Sequence, residues 1–349
     1  MRIAGVASAF PRHYFRQEAV AEELKSYWAD QLENPAVLHR MLTRVGVEGR
    51  HFVQPLENYK SLDTWGKNND AWIENAEELA EQALCKAMTR AGYDLDSLGA
   101  IFFVSVTGIC SPSIDARLVN RMKLPRDIKR VPIFGLGCVA GAAGIARAAD
   151  YVRAFPKDVA AVVSVELCSL TWQREDLSVA HIIASALFGD GASAVVIAGS
   201  EVKSSGPQVV ATRSSFYPDT EEMMGWKISE KGFNLVLSPG VPDLVQRRLG
   251  EDVDEFLADN GLKRENIASW IMHTGGPKIL EATESALGLT NGELQPSWDC
   301  LKRVGNLSSA SVLVVLEEHI AKYKPAPGQY SLLAAMGPGF CAELVLLKW

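Results

Sequence analysis

No apolar stretch in this 349-residue chain approaches the ~20 residues that a membrane-spanning helix needs. The opening Met1-Arg2-Ile3-Ala4-Gly5-Val6 reads as a short strand. It lacks the charged region, apolar core and cleavage site of a secretion signal, so the expected compartment is the cytoplasm. Basic excess is missing as well: 35 Lys and Arg stand against 42 Asp and Glu, for a net charge of −7. That argues against nucleic acid as a main partner and leaves room for a local basic pocket holding one anionic ligand. The six cysteines, Cys85, Cys110, Cys138, Cys168, Cys300 and Cys341, are scattered. Without a CxxC pair or a nearby histidine cluster, no metal site is expected, and a cytoplasmic chain of this size is not expected to carry disulfides. Linkers, low-complexity stretches and long charge runs are also lacking. What remains is 48% hydrophobic and 22% charged, a globular chain long enough for one large α/β unit or two fused halves.

Helical periodicity runs through residues 16–33 and 35–44 and again through residues 71–91, where Leu79, Ala83, Leu84 and Met88 share one face. Continuous apolar runs at residues 98–106, 159–165 and 192–197 read as strands covered on both faces. Strand and helix alternate, which predicts a layered α/β fold. The same rhythm returns 168 positions later. Phe103-Val104-Ser105-Val106-Thr107-Gly108 corresponds to Ile271-Met272-His273-Thr274-Gly275-Gly276, and Gly137-Cys138 to Gly305-Asn306. Each half ends in a glycine-flanked strand, after Gly189-Asp190-Gly191 and after Gly337-Pro338-Gly339. The pattern predicts an internal duplication with halves 1–203 and 204–349. Packing such halves about a pseudo-twofold axis brings Cys138 and Asn306 to one central place, with His273 at a strand end, where α/β folds present their chemistry.

Cys138 follows the turn Phe134-Gly135-Leu136-Gly137 and opens a helix of small and apolar residues. A thiol at a helix N-terminus meets unpaired N–H groups and the positive end of the dipole, both favouring thiolate. Taken alone, a buried cysteine is a small hydrophobe, a buried histidine is usually satisfied by a carbonyl, and Asn306 is a helix cap. As a set they form a chemistry. A thiolate attacks a thioester and becomes acylated, an imidazole supports it as an ion pair, and imidazole and amide together hold an enolate. That enolate arises when a malonyl thioester loses CO2, and its carbon attacks the acyl-cysteine. Decarboxylation makes the carbanion, so no external base is needed.

With these residues in place, the chain resembles the type III polyketide synthases, the chalcone-synthase-like group of the thiolase superfamily. The resemblance is carried by Gly135-Leu136-Gly137-Cys138-Val139-Ala140-Gly141, Glu166-Leu167-Cys168-Ser169-Leu170-Thr171-Trp172, Leu187-Phe188-Gly189-Asp190-Gly191, His273-Thr274-Gly275-Gly276-Pro277-Lys278, Gly305-Asn306-Leu307-Ser308-Ser309 and Gly337-Pro338-Gly339-Phe340. It implies a thiolase-like five-layered αβαβα fold and a homodimer. Cys138 would carry the acyl group, and His273 and Asn306 would drive decarboxylation. Acyl-CoA and malonyl-CoA would be the substrates, with no carrier protein, metal or resident cofactor. By the same resemblance Phe233 is a gate between CoA tunnel and cavity, and Thr107, Cys168, Thr171, Gly225 and Ser308 line the cavity. Arg40, Arg44, Gly275 and Gly276 meet the CoA. A second gate of the plant enzymes has no aromatic counterpart near Pro207. Ser111 stands where those enzymes place a methionine into the partner's cavity.

The segment from Thr212 through Met224-Gly225-Trp226 to Gly232-Phe233 is similar to the bacterial alkylresorcinol and alkylpyrone synthases. This implies a fatty-acyl starter in an apolar tunnel and a pyrone or resorcinol product. Three other readings fit parts of the pattern. An initiating ketoacyl-ACP synthase III-like enzyme uses the same residue trio with a carrier-protein thioester. A Cys-His-Asn thioester hydrolase would release free acid, and a non-catalytic scaffold would only bind an acyl ligand.

Overall fold

A computed structural model describes residues 1–28 and 35–349. The first expected helix is Gln17–Tyr27 and the second Pro35–Thr43; residues 29–33 of the predicted 16–33 span lie outside the described residues. The third begins at Trp65 and runs to Ala91, because Thr64 Oγ1 accepts from the Lys67 N–H and caps it there, ahead of the apolar periodicity that marks its buried face. Gly92, at φ 73°, ends it.

Nine strands form the hydrogen-bonded frame, in the order Ile267–Met272, Tyr330–Gly337, Cys341–Lys348, Gln208–Phe216, Arg2–Ala9, Asp190–Ala198, Val159–Leu167, Leu98–Val104 and Lys129–Ile133. The order is a palindrome with one strand added. In the N-terminal half Leu98–Val104 runs parallel to Val159–Leu167. That strand is antiparallel to Asp190–Ala198, which is antiparallel to Arg2–Ala9. In the C-terminal half Ile267–Met272 is parallel to Tyr330–Gly337, followed by two antiparallel pairings through Cys341–Lys348 to Gln208–Phe216. The half-sheets meet where Arg2 pairs with Gln208, Ile3 N–H donates to Pro207 O and Val209 N–H donates to Met1 O.

Both faces of each half-sheet are covered, which is why the strands read as unbroken apolar runs. In Val159–Leu167, residues 159, 161, 163, 165 and 167 pack on the outer side and residues 160 and 162 on the inner side. The inner layer is the helix Ala140–Ala154 beside Ser311–Glu318, in one apolar cluster with strands of both halves. Outside lie Trp65–Ala91 on one half and Val241–Asp259 with Pro277–Leu287 on the other. Outer helix, sheet, central helices, sheet and outer helices make the five-layered αβαβα arrangement. No helix among the described residues is long and apolar enough to cross a membrane.

The central helix explains its own sequence. Ala140, Gly141, Ala142, Ala143 and Gly144 are all buried, and the partner backbone approaches closely. A Cβ on Gly141 would stand 2.2 Å from the Ser309 carbonyl oxygen. Alanine in its place would push apart the two half-domains at the point where their equivalent helix starts meet.

Candidate active site

Cys138 lies in the turn Gly137–Val139 that leads into the central helix. Gly137 has φ 56°, and a Cβ there would lie 2.7 Å from Pro338 Cδ. The turn therefore takes only glycine, and it seats the cysteine against the Gly337-Pro338-Gly339 turn of the other half. The Cys138 thiol is 7% exposed and donates to Ser308 Oγ at 3.7 Å.

Asn306 arrives from the matching place in the second half. Its backbone is pinned on both sides: its N–H donates to Leu187 O, and its C=O accepts from Gly189 N–H, each at 2.9 Å. Its side-chain oxygen accepts from Ser308 N–H at 2.8 Å and Ser311 Oγ at 3.3 Å. The oxygen is thereby spent on a cap, and the amide NH2 is left as a donor. The cap therefore leaves the donor end of the side chain uncommitted by these two bonds. The hydrogen bond from Asn306 acts to lower the Cys138 pKa.

His273 follows the strand Ile267–Met272, and its backbone N–H donates to Ala334 O at 3.0 Å. Its ring is buried, and neither nitrogen has a hydrogen-bond partner among the described residues. A bland core histidine would be satisfied by a carbonyl; this one is not, and buried polar atoms rarely go unpaired without a reason. Burial holds its pKa down to about 4, so the ring is neutral at physiological pH and keeps a lone pair.

Burial opposes the helix-dipole argument for a resting thiolate. Burial pushes the Cys138 thiol up to about 12 against the opposing bonds from Ser308 and Asn306. A thiol that rests protonated must give its proton to a base as the sulfur–carbon bond forms.

Cys138, His273 and Asn306 line one cavity of about 750 Å³. Arg40, Arg44, Gly275, Gly276 and Lys278 line it too. Arg40 and Arg44 are exposed, and neither forms an ion pair among the described residues. These cations give a chain of net charge −7 a local basic site suited to phosphates. Lys278 stood in a quoted motif, yet the sequence reading gave it no role.

A second, smaller chamber of about 30 Å³ is lined by Thr107, Cys168, Thr171, Trp172, His181, Ala184, Ser185, Phe188, Trp226, Leu235 and Ser308. Ser308 belongs to this chamber and touches Cys138, so the two spaces adjoin at the nucleophile. Thr107, Cys168, Thr171 and Ser308 are thus brought together as expected. Thr107 Oγ1 donates to Glu166 at 2.9 Å and accepts from Leu167 N–H. Burial drives the Cys168 thiol well above its ordinary value.

Two expected residues sit elsewhere. Phe233 lines neither cavity; its ring is buried among Trp65, Phe134 and Trp226. The residue that borders both cavities is Phe188. Arg50, fully buried, fixes it by donating Nη1 to Ser185 O at 2.8 Å and to Phe188 O at 2.5 Å. Gly225 also borders neither cavity. Its chain neighbours do: Met224 lines the large one and Trp226 the small one. A Cβ on Gly225 would meet nothing within 4 Å. The strand pairing explains both shifts, because Leu235 lies opposite Trp226 and these two close the chamber.

Comparison with known proteins places this geometry. The family models of the chalcone and stilbene synthases match residues 3–201 with their N-terminal domain and residues 208–349 with their C-terminal domain. The 1,3,6,8-tetrahydroxynaphthalene synthase of Streptomyces peucetius subsp. caesius is 47% identical, covering 99% of this chain and 93% of its own. The α-pyrone synthesis polyketide synthase-like Pks18 of Mycobacterium tuberculosis is 30% identical over 99% of this chain and 90% of its own. The crystal structure of the 1,3,6,8-tetrahydroxynaphthalene synthase of Streptomyces coelicolor, a bacterial type III polyketide synthase, superposes with a TM-score of 0.93 at 29% identity. That match covers 100% of this chain and 99% of that one. The chain belongs to the chalcone and stilbene synthase family, and it is a type III polyketide synthase, an acyltransferase that builds carbon–carbon bonds by decarboxylative Claisen condensation.

Proposed function

We propose that this synthase extends malonyl units into a short poly-β-ketone and closes it to a hydroxylated aromatic, with Cys138 as acyl carrier. His273 takes the thiol proton. His273 N–H and the Asn306 amide then hold the enolate oxygen left when malonyl-CoA loses CO2. Each such donor is worth roughly 3 kcal/mol of transition-state stabilisation. Arg40, Arg44 and Lys278 hold CoA phosphates at the mouth of the large cavity. The reaction needs no resident cofactor, because decarboxylation itself generates the carbanion.

The observation that carries the product class is the chamber behind Phe188. At about 30 Å³ it has room for about two water-sized groups, and hydroxyls, a thiol and an imidazole face it. That is room for one oxygen-bearing piece of a poly-β-ketone, whose remainder would lie in the large cavity. The tetrahydroxynaphthalene made by the Streptomyces peucetius relative has ten ring carbons, which five two-carbon units supply without any other starter. A fatty-acyl starter, with an alkylpyrone or alkylresorcinol product, is the second reading. It is favoured by the apolar wall of the large cavity, formed by Ile183, Leu187, Val245, Leu249 and Met272.

We further propose a homodimer formed through the edge strand Lys129–Ile133. That strand pairs on one side only, and Val131, Phe134 and Ile109 are exposed beside it by 37%, 50% and 41%. Sedimentation at micromolar concentration tests it, and a monomer would refute it.

The functional test is incubation with malonyl-CoA alone and with a ladder of acyl-CoA starters, read by mass spectrometry beside Cys138→Ala. An aromatic formed from malonyl-CoA alone supports the first reading, and products bearing a long alkyl chain support the second. Free acid without any extended product would refute both.

A further inference from the structure

The last turn of a helix leaves carbonyls without intrahelical partners. At the end of the helix Val179–Leu187, three successive carbonyls are each taken by a different segment. Ser185 O accepts from Arg50 Nη1 at 2.8 Å, Ala186 O from the Gln17 side-chain amide at 3.0 Å, and Leu187 O from Asn306 N–H at 2.9 Å. Arg50 fixes the wall at Phe188, and Asn306 belongs to the catalytic trio. Gln17 lines neither cavity. The same amide nitrogen also donates to Leu42 O at 2.5 Å. Leu42 lies in the last turn of the helix Pro35–Thr43, so this carbonyl too is one that its own helix leaves open. Both partners are carbonyls, which settles the NH2 orientation. One amide, 3% exposed, thus closes the C-terminal ends of two helices. Its oxygen is buried and has no hydrogen-bond partner among the described residues, so the donors alone hold the group.

The two helices carry different parts of the site. Pro35–Thr43 carries Arg40, and Arg44 follows one turn later, its N–H donating to Arg40 O at 3.2 Å. Both arginines are exposed and line the large cavity, while Leu38, Leu42 and Val45 are buried beneath them. Leu42, whose carbonyl Gln17 holds, lies midway between the two arginines along the chain. Val179–Leu187 ends on the carbonyl that holds Asn306. Gln17 is itself anchored. Its backbone N–H donates to Glu48 O at 2.8 Å, and Glu48 N–H donates to Lys302 O at 2.7 Å, on the helix Gln295–Val304 that leads into Gly305-Asn306. The arginine pair is therefore tied to the catalytic amide by two routes, and Gln17 stands in both. The plainer account is an amide that only fills two caps. It predicts a loss of stability that every substrate feels alike, and it gives no part to the groups these helices carry.

We propose that Gln17 is a positioning residue for CoA thioesters: its amide holds Arg40 and Arg44 in register with Asn306. A thioester gripped by its phosphates at the mouth then arrives with its malonyl group at Asn306. This rests on the reading above of Arg40 and Arg44 as the phosphate grip. Such a grip helps the reacting end only if the span between the two is fixed, because a small misplacement at a distance is passed on to the reacting atoms. Leucine at this position has a similar volume and no donor. It leaves Leu42 O and Ala186 O without the bond that joins their helices, and the arginines lose their fixed distance from Asn306.

The test compares malonyl-CoA with the malonyl thioester of N-acetylcysteamine, which keeps the reacting end and lacks the nucleotide and its phosphates. Thiol release gives kcat/KM for both thioesters in the unmutated enzyme, in Gln17→Leu, in the pair Arg40→Ala and Arg44→Ala, and in all three changes together. The ratio of the two values is the preference for CoA. Gln17→Leu is expected to lower that preference about tenfold, the size of one lost charge-assisted phosphate contact, with little loss on the short thioester. With both arginines removed, Gln17→Leu should change the preference no further, a coupling that a role in stability alone would not produce. Gln17→Met, unbranched like glutamine and without a donor, gives the same readout should leucine disturb the packing. If both variants fail to fold, the amide serves stability alone and the proposal is overturned. An equal loss on both thioesters, or an unchanged preference, would overturn the role of Gln17 and leave the arginines in place. An unmutated enzyme that does not prefer the CoA ester would overturn the phosphate grip and this inference with it.

Discussion

Glu166 offers a quantitative test of the core between the two halves. The carboxyl is fully buried and accepts from Val106 N–H at 3.1 Å, Thr107 Oγ1 at 2.9 Å, Ser105 Oγ at 3.4 Å and the Ser309 hydroxyl. Burial raises its pKa from 4.5 to about 7, outweighing the donors. Between those values the folded protein holds a proton that the unfolded chain has lost, so stability falls as pH rises. The rise corresponds to about 3 kcal/mol, fully lost above about pH 8. Two other groups titrate nearby. Asp190, raised from 3.8 to about 6, acts with the same sign but is exhausted above that. His273, lowered from 6.5 to about 4, acts oppositely, since the unfolded chain gains a proton as pH falls through 6.5. Comparing the protein with Glu166→Gln cancels both. The glutamine also carries a fixed cost of misplaced donors, and this does not vary with pH. Urea unfolding followed by tryptophan fluorescence from about pH 5 to about pH 8 should show the variant gaining about 3 kcal/mol on the unmutated protein across the series. A difference flat to within ~0.5 kcal/mol would refute a protonated Glu166 in the resting core.

Arg50→Met removes a cation that is itself under load: burial lowers its pKa to about 9, with Asp190 acting to raise it. The loss leaves the carbonyls of Ser185 and Phe188 without their donor, and urea unfolding should register about 3–5 kcal/mol of destabilisation. A change below ~1 kcal/mol would mean that the clamp contributes nothing. Phe188→Leu shortens the side chain that borders both cavities, and mass spectrometry should show the product distribution move toward longer chains. Phe233→Leu, acting on a ring outside both cavities, should move that distribution far less, and equal shifts from the two variants would restore Phe233 as the gate.

The trio Cys138, His273 and Asn306 was legible because each lies in a turn whose geometry is written in adjacent glycines. The doubled, layered plan of the fold was legible for a related reason: the two halves repeat the same short signals. The cavity wall was less legible because it depends on contacts between distant segments. Phe233 and Leu235 are two residues apart and share a face of the strand Gly232–Leu237. Which of them reaches the chamber is decided by the pairing of Leu235 with Trp226 and by the packing of Trp65 from another helix on Phe233. Phe188 was in plain view inside Leu187-Phe188-Gly189-Asp190-Gly191. Its role comes from Arg50, 138 positions away along the chain, and from the backbone bridge to Asn306. The thiolate expectation meets opposition for a comparable reason. Helix polarity is local and can be read from sequence. Burial of the thiol is set by the second half of the molecule closing over it, with Ser308 at 3.7 Å and Pro338 against Gly137. The duplication brings the catalytic groups together, and the same closure raises the cost of ionising them. On the mechanism proposed above, this site activates its nucleophile by moving a proton to His273 during attack.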